Sequence, residues 1–432
     1  MRAFRFLHAA DLHLDSPFKG LSSLPEPIRE VIRESTFQAF RNLVTTAIEE
    51  RVDFVVLAGD IYDGADRSLR AQLRFQQGAE RLAERGIPLY VVHGNHDPDD
   101  GRKARLTWPD SVHFFSSVAP ELIEAVDRHG RALAGIQGMS YPNASVRDNL
   151  AARYTRGSNG GQYQIGLLHG NVDGDAGHDN YAPCTLQQLT GSGLDYWALG
   201  HIHSRRTLRS EPWVVYPGNI QGRSIRETGP KGCYVVDVSD SGTTSLSFRP
   251  TDAVRWIVEP VSIDGLTSEQ ELRDEMERVL DSAAVLADGR PAVVRLQLVG
   301  RGPLHRVLQS GSSLQELVGE LREEASRRAE LDAAAGWTWL ESVQLQTGLA
   351  LDRELLLAQD GFLSDLLRSA DGLLADGREL EAFCARSLEP LLAHPKAGRL
   401  LAELLADERA DWLRAAEQLA LGLLAEEEGW DA

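Results

Sequence analysis

Five short apolar runs in the first half of the chain each stop abruptly at a small residue followed by histidine, aspartate or asparagine. They are "FRFLHAAD" (4–11), "VDFVVLAGD" (52–60), "IPLYVVHGNHD" (87–97), "YQIGLLHGN" (163–171) and "LDYWALGHIH" (194–203). Apolar runs this short, rich in β-branched and aromatic residues, read as strands covered on both faces. Between the first two, "PEPIREVIRESTFQAFRNLVTTAIEER" sets Ile28, Val31, Ile32, Phe37, Phe40, Val44 and Ile48 on one face of one or two helices. Between the second and third, "DRSLRAQLRFQQGAERLAERG" has the same character, and Gly86 suits a helix stop. Strands alternating with helices define an α/β layered domain. The polar residues then fall at the carboxyl ends of the strands, the edge at which open α/β sheets bind ligands.

A chain of 432 residues exceeds one ordinary core and divides into two or three domains. "GCYVVDVSDSGTTSLSFRPT" (232–251) reads as two strands joined at "DSG", closing a first domain at about residue 252 with an antiparallel element. Residues 253–348 read as a small α+β domain of β-α-β-β order, and 349–432 as a leucine-rich helical region. In that region Trp412, Ala416, Leu419 and Leu423 follow helical spacing and "LAEEEGW" ends in acid. The 45 basic and 64 acidic residues give a net charge of -19. A diffusely basic nucleic-acid binder is thereby excluded, so contact with phosphate requires a local basic groove, bound cations or a partner. Cys184, Cys233 and Cys384 form no CxxC pair, which argues against a zinc knuckle or a disulfide framework. Neither a signal-peptide apolar core nor a run of about 18 apolar residues occurs, so a cytoplasmic protein with no membrane span is expected.

The strand ends deliver Asp11 and His13; Asp60 and Asp63; Asn95, His96 and Asp97; His169 and Asn171; and His201 and His203. Singly these are weak signals. Asp-x-His can be a capped turn, "GD" after a strand is common, and a lone histidine is more often structural. Delivered together to one sheet edge, they outnumber the ligands of one tetrahedral site. Imidazole with carboxylate and amide oxygen suits borderline divalent ions, and two such ions about 4 Å apart hydrolyse phosphate esters. His201 and His203, two residues apart on an extended strand end, are expected to share a face. His8 and His93 sit inside apolar runs and read as structural, while His113, His129, His178, His305 and His394 carry no motif. Arg205, Arg206, Arg223, Arg226 and Lys231 follow the last motif, as a solvated face or as a rim for phosphate.

Together "DLH", "GDIYD", "GNHD", "LLHGN" and "GHIH" resemble the calcineurin-like metallophosphoesterase superfamily. Within it, "HAADLHLDSPF", "YPGN" and "GPKG" resemble the SbcD-type DNA repair exonucleases, particularly their YhaO-like bacterial branch. The likeness spans about residues 1–250; the small α+β segment corresponds in position to a capping domain, and the helical tail matches in composition alone. The resemblance implies a layered β-sandwich flanked by helices and two divalent ions, manganese first, with iron, zinc or magnesium as alternatives. It implies that Asp11, His13 and His203 hold one ion, that Asn95, His169 and His201 hold the other, and that Asp60 bridges them. It further implies attack on phosphorus by a hydroxide between the ions, with His96 assisting at the scissile phosphate and Asp97 orienting His96. The partners implied are DNA, a second copy docked through helices near 66–85, and an SbcC-like or YhaN-like ATPase on the C-terminal helices. Two positions depart from the pattern: Asp63 stands where many nuclease members carry a phosphate-contacting histidine, and Asp15 where many carry glycine. Both leave exonuclease against endonuclease behaviour open. A phosphoesterase acting on small nucleotides or phosphoproteins, and a non-enzymatic scaffold with this fold, are the alternatives.

Overall fold

The computed structural model describes residues 1–432 except 19–23, 65–66, 128, 158–161, 176–178, 311, 332–335, 395–396 and 428–432. His178, the first residue of the helix expected from 66 and the end of the acidic tail lie outside the described residues.

Two six-stranded sheets carry the N-terminal part. The first contains β1 (Phe4–Ala9), β2 (Phe54–Ala58), β3 (Leu89–Val92), β4 (Val112–Phe114), β11 (Gly232–Val238) and β12 (Thr244–Pro250), in the order β12-β11-β1-β2-β3-β4. The second contains β5 (Glu121–Val126), β6 (Ala132–Gly138), β7 (Tyr163–His169), β8 (Tyr196–Gly200), β9 (Arg206–Ser210) and β10 (Trp213–Tyr216), in the order β5-β6-β7-β8-β10-β9. Strands β1 to β4 pair in parallel, and so do β6, β7 and β8. The hairpin expected at "DSG" joins β11 to β12 antiparallel.

Alternation along the strands explains why they read as unbroken apolar runs. On β2, Phe54, Val56 and Ala58 enter the core shared with Ile165 and Leu167 of β7 and Tyr196 and Ala198 of β8. The intervening Val55 and Leu57 pack instead on Phe40, Leu43 and Val44 of α1 (Glu26–Glu49) and on Phe75 and Leu82 of α2 (Leu69–Ala83). Trp197 and Leu199 of β8 face a third cluster, with Leu189 of α3 (Leu186–Gly191). A strand covered on both sides has no polar face to show. Where one or two helices were expected between β1 and β2, the described residues form one, α1, and α2 ends just before Gly86, whose φ of 66° suits a helix stop.

By packing, the chain falls into two units. One comprises Met1–Val258, Leu280–Arg295 and Leu321–Glu341; the other Glu259–Val279, Leu296–Glu320 and Ser342–Ala432. A third sheet runs β13-β14-β15, with β13 (Arg255–Ser262), β14 (Ala292–Arg301) and β15 (Thr338–Gly348). The order here is richer than the expected β-α-β-β. Besides α4 (Glu269–Leu286), a pair α5 (Leu304–Ser310) and α6 (Ser313–Leu331) separates β14 from β15. Leu321, Ala325 and Ala329 mark the buried face of α6, a spacing of four that the sequence reading passed over. The C-terminal region is helical as expected: α7 (Arg353–Ala358), α8 (Phe362–Ala375), α9 (Gly377–Ser387), α10 (Glu389–Leu392) and α11 (Ala397–Glu427). On α11 Leu413, Glu417 and Leu421 are buried, whereas Trp412, Leu419 and Leu423 are 38%, 65% and 58% exposed. Among the described residues no helix is long and apolar enough to cross a membrane.

Candidate metal centre

The polar motifs sit just beyond the strands rather than in them, in loops held edge to edge. Asp11 N donates to Gly59 O at 3.1 Å, His13 N to Asp60 O at 3.0 Å and Leu14 N to Ile61 O at 3.0 Å, so the loops after β1 and β2 run side by side. Asp11, His13, Asp60 and His201 have φ of 53°, 44°, 51° and 101°. Left-handed backbone is costly for residues with a Cβ and concentrates where function holds it. Two motif glycines are demanded by space. A Cβ on Gly94 would stand 2.3 Å from Asp60 Oδ1, and one on Gly200 would stand 1.8 Å from Ala58 O.

The expectation that His201 and His203 share the face of an extended strand end is corrected. Strand β8 stops at Gly200, and the chain turns at His201, whose amide donates to both carboxylate oxygens of Asp11 at 3.0 and 3.1 Å. The two rings go to different neighbours. His203 Nε2 lies 3.2 Å from His13 Nε2, while the His201 ring lies 5.2 Å from that of His169.

Each of the four histidines has an oxygen behind one ring nitrogen. His169 Nδ1–H donates to Ala58 O at 2.9 Å, His201 Nε2–H to Asp179 O at 2.7 Å and His203 Nδ1–H to Glu227 Oε1 at 2.8 Å. His13 Nδ1 stands 3.0 Å from Asp63 Oδ1. At His169, His201 and His203 such acceptors fix tautomer and ring angle and turn the other nitrogen into a lone-pair donor, the arrangement found behind metal-bound imidazoles, whereas the approach of Asp63 to His13 Nδ1 lacks hydrogen-bond geometry. Asp60 Oδ2 lies between two of these nitrogens, 3.4 Å from His169 Nε2 and 3.8 Å from His13 Nε2, and Asn95 Oδ1 is 3.0 Å from His169 Nε2. Among the described residues three sets bring their ligand atoms within 4.8 Å of one another: Asp11, His13 and His203; His13, Asp60 and His96; and Asp11, Asp60 and His169. Two imidazole nitrogens facing each other beside a buried carboxylate are the donor set a borderline divalent cation takes.

Electrostatics follow from this crowding. Burial works to lower the His169 imidazole, but the Asp60 and Asp11 carboxylates and the Ala58 carbonyl override it and raise it to about 9. Burial wins at His13, aided by the Arg223 cation, and lowers it to about 3, so that ring is neutral. Burial would raise Asp60, yet His169, His13 and His96 hold it well below the ordinary carboxylate range. Asp11 rises, chiefly through burial. His8 is structural as expected: its ring bridges the sheets from Tyr196 OH at 3.0 Å to Leu199 O at 3.2 Å, and burial lowers it to about 3.

At the mouth stand His96, Asp63 and Arg223. His96 is 40% exposed, with Nδ1 3.2 Å from Asp63 O, and its amide donates to Asp60 Oδ1 at 2.9 Å. Asp97 does not take the expected place beside His96. Its buried carboxylate accepts from Gly94 N at 2.7 Å and Ile61 N at 2.9 Å and lies 3.2 Å from His93 Nδ1, so it ties the β3 loop to the Asp60 loop. The carboxylate beside the His96 ring belongs to Asp63, at 4.0 Å. Of the basic rim, Arg223 reaches the centre: Nη1 donates to Asp63 Oδ1 at 2.6 Å and Nη2 is 3.3 Å from His203 Nδ1. Lys231 Nζ donates to His203 O at 3.3 Å. Arg205 instead stacks over Phe248 at 3.9 Å, and Arg206 pairs with Asp175.

Sequence reasoning missed Glu227, Asp179 and Tyr141. Glu227 accepts from His203, from Asn219 Nδ2 at 2.9 Å and from the Arg223 amide at 2.7 Å, which, with Arg223 nearby, holds its carboxyl below the usual range despite burial. Nothing in its spacing from "GHIH" announces this. Asp179 acts through its backbone carbonyl, which no side-chain motif encodes. Tyr141 packs edge-on to His169 at 5.5 Å. Asn171, singled out at a strand end, donates to Asp175 O at 3.2 Å and Asp179 O at 3.4 Å and so braces the segment that holds His201.

A sandwich of two sheets with histidines, carboxylates and an amide gathered at strand ends defines a metallophosphoesterase, and comparison agrees. Residues 4–205 match the calcineurin-like phosphoesterase family, and residues 256–348 match the middle domain of the metallophosphoesterase YhaO. The chain belongs to the calcineurin-like metallophosphoesterases, in their SbcD/YhaO-like group. It is 45% identical over 321 residues to the uncharacterized metallophosphoesterase YhaO of Bacillus subtilis (strain 168), covering 74% of this chain and 77% of that one. It is also similar to the DNA double-strand break repair protein Mre11 of Thermoplasma acidophilum, at 24% identity over 72% of this chain and 81% of the relative. With the SbcD component of the nuclease SbcCD of Bacillus subtilis it shares 26% identity over 54% of this chain and 66% of the relative.

Proposed function

We propose that this hydrolase is a two-metal phosphodiesterase that cleaves DNA phosphodiester bonds, exonucleolytically and with endonuclease capacity, in DNA repair. The observation that carries the reading is Asp60 Oδ2 standing between His169 Nε2 and His13 Nε2, the place of a bridging carboxylate. Asp11, His13 and His203 would hold one divalent ion and Asn95, His169 and His201 the other, with Asp60 shared and manganese the expected metal. When bound, such a pair makes water acidic enough to attack and neutralises charge on the phosphate.

The chain's own groups do the rest. His96, half exposed at the mouth, has Nδ1 directed at the Asp63 carbonyl, so Nε2 is the nitrogen available to hand a proton to the leaving oxygen. Arg223, fixed by Asp63, offers the guanidinium that a phosphate oxygen accepts. The Asp63–Arg223 pair supplies the cation that an aspartate alone lacks. Asp97 acts through the loop carrying His96. Local positive charge from Arg223 and Lys231, with the metals, offsets the overall -19.

The relatives named for DNA repair and as one subunit of the nuclease SbcCD support DNA as substrate and a partner subunit, for which an SbcC-like or YhaN-like ATPase is proposed. The unpacked stripe of Trp412, Leu419 and Leu423 on α11 favours docking of that partner there, and exposed Leu69 and Leu73 on α2 favour a homodimer. The organisation proposed is a catalytic domain over 1–252, a cap over 253–348 and a helical docking region over 349–432. The test is cleavage of end-labelled duplex and single-stranded DNA with manganese, magnesium and zinc compared. Metal-dependent cleavage lost in His96→Ala is expected; cleavage that survives both His96→Ala and Asp60→Ala overturns the reading.

A further inference from the structure

At the amino ends of β1, β2 and β3 lies a cavity of about 440 Å³. Its lining comes from the segments that lead into those strands: Arg2 ahead of β1, Arg51 and Asp53 ahead of β2, and Arg85 ahead of β3. The turn between β5 and β6 closes it with Asp127, His129 and Arg131. The metal ligands follow the carboxyl ends of the same strands, so the length of β2, about 17 Å, separates this cavity from the metal centre.

The two acids of this lining are already engaged by the protein. Buried Asp127 accepts at Oδ2 from Arg2 Nη1 and Arg131 Nε, each at 2.9 Å, and at Oδ1 from the amides of His129 at 2.8 Å and Arg131 at 3.0 Å. Asp53 Oδ2 accepts from Arg5 N at 2.8 Å. Asp127 thereby fixes two guanidiniums that stay about half exposed and keep N–H groups to offer elsewhere. Among the described residues the side chains of Arg51 and Arg85 meet no carboxylate or carbonyl. The last turns of α1 and α2 are closed by backbone amides instead, Thr46 O by Glu50 N and Leu82 O by Arg85 N and Ile87 N. In a chain with 64 acids and 45 bases, arginines such as Arg5, Arg70 and Arg249 find carboxylates in Asp237, Glu34 and Glu50. Four guanidiniums around one cavity, two of them unpaired, reverse the chain's overall field locally. Guanidinium forks meet phosphate oxygens bidentately and keep their charge at any working pH. The volume lies within the range of small-molecule sites and exceeds what a single phosphate fills.

We propose that this cavity binds a compact oligophosphate, two or more linked phosphoryl groups. Arg51 and Arg85 supply the uncompensated charge, and Arg2 and Arg131, held by Asp127, add further donors. The site is separate from the reacting phosphate and stands or falls independently of the function proposed above.

The test is calorimetric titration of the full-length chain, depleted of metal so that no bound cation draws the probe, with pyrophosphate and with orthophosphate. One pyrophosphate per chain is expected, bound about tenfold or more tightly than orthophosphate because a second phosphoryl group gains further charged hydrogen bonds. Arg51→Ala combined with Arg85→Ala is expected to weaken pyrophosphate about 10- to 100-fold. Both side chains are exposed and unpaired, so this variant folds as the wild type does. The same charge removed from α9, by Arg378→Ala with Arg386→Ala, is expected to leave the affinity unchanged. Absence of binding, equal affinities for the two anions, or equal losses in the two double variants overturns the proposal. ADP distinguishes two sources of the same chemistry. Tighter binding than pyrophosphate assigns the site to nucleotides, and equal or weaker binding assigns it to inorganic oligophosphate. Displacement of pyrophosphate by one equivalent of a duplex lacking terminal phosphates marks a contact for DNA backbone instead and overturns the proposal.

Discussion

Replacing Glu227 with glutamine probes the support behind the metal ligands without touching a ligand. The carboxylate accepts three hydrogen bonds, from His203 Nδ1 at 2.8 Å, Asn219 Nδ2 at 2.9 Å and Arg223 N at 2.7 Å. Glutamine keeps the shape and removes the charge; with its one oxygen kept for the two donors Asn219 Nδ2 and Arg223 N, its NH2 faces His203 Nδ1 and cannot accept from it. Loss of an acceptor behind a metal-bound imidazole typically weakens metal affinity about 10- to 100-fold. At saturating metal that removes about 1.4 to 2.7 kcal/mol of metal-induced stabilisation. For a domain of this size the thermal midpoint with manganese should fall by roughly 3 to 10 °C, with a smaller change in its absence. Because its neighbours depress the Glu227 carboxyl in the fold, its support is present above the ordinary carboxylate range and is lost as pH falls through the depressed value. The deficit of Glu227→Gln is therefore expected to be undiminished from pH 6 to 8. Manganese titration followed by thermal unfolding reads the effect. An unchanged dissociation constant refutes the claim that Glu227 holds the His203 tautomer.

Protons and metal compete at His169. In the metal-free fold its pKa is raised from 6.5 to about 9, so its contribution to stability is complete below 6.5 and lost as pH rises through about 9. Metal affinity should strengthen by up to about tenfold per pH unit across that window, with proton release seen as a buffer-dependent heat; a flat profile contradicts the assignment. Gly200→Ala sets a Cβ 1.8 Å from the Ala58 carbonyl that also receives His169 Nδ1–H, and should cost about 1 to 3 kcal/mol or more in unfolding experiments and weaken metal binding. Arg223→Ala is expected to lower kcat/KM on DNA about 10- to 100-fold, the worth of a charged hydrogen bond, and to flatten the salt dependence of binding.

The strands were legible because β2 and β8 are covered on both faces, so Val55 and Trp197 needed to be as apolar as Val56 and Ala198. Their polar ends were legible as a set, since Asp11, His13, Asp60, His169 and His203 do meet. How they meet was not. Period-two reasoning about His201 and His203 fails because a φ of 101° at His201 ends the strand, and Asp11 binding the His201 amide does what a pleat was expected to do. Asp97 adjoins His96 in sequence yet faces His93 and the Asp60 loop, because backbone amides outcompete a neighbouring ring for a buried carboxylate. Glu227 and the Asp179 carbonyl arrive from distant segments and carry no local pattern. The α5–α6 pair is hard to read from sequence because, among the described residues, the buried apolar face of α6 is the small set Leu321, Ala325 and Ala329 set among many charges.

Calorimetric titration of the metal-depleted chain with manganese tests the central claim most directly. Two ions per wild-type chain are predicted, with Asp60→Ala losing measurable binding at both sites and His203→Ala chiefly at one. A single ion per chain, or two sites indifferent to Asp60→Ala, contradicts the bridging role on which the account stands.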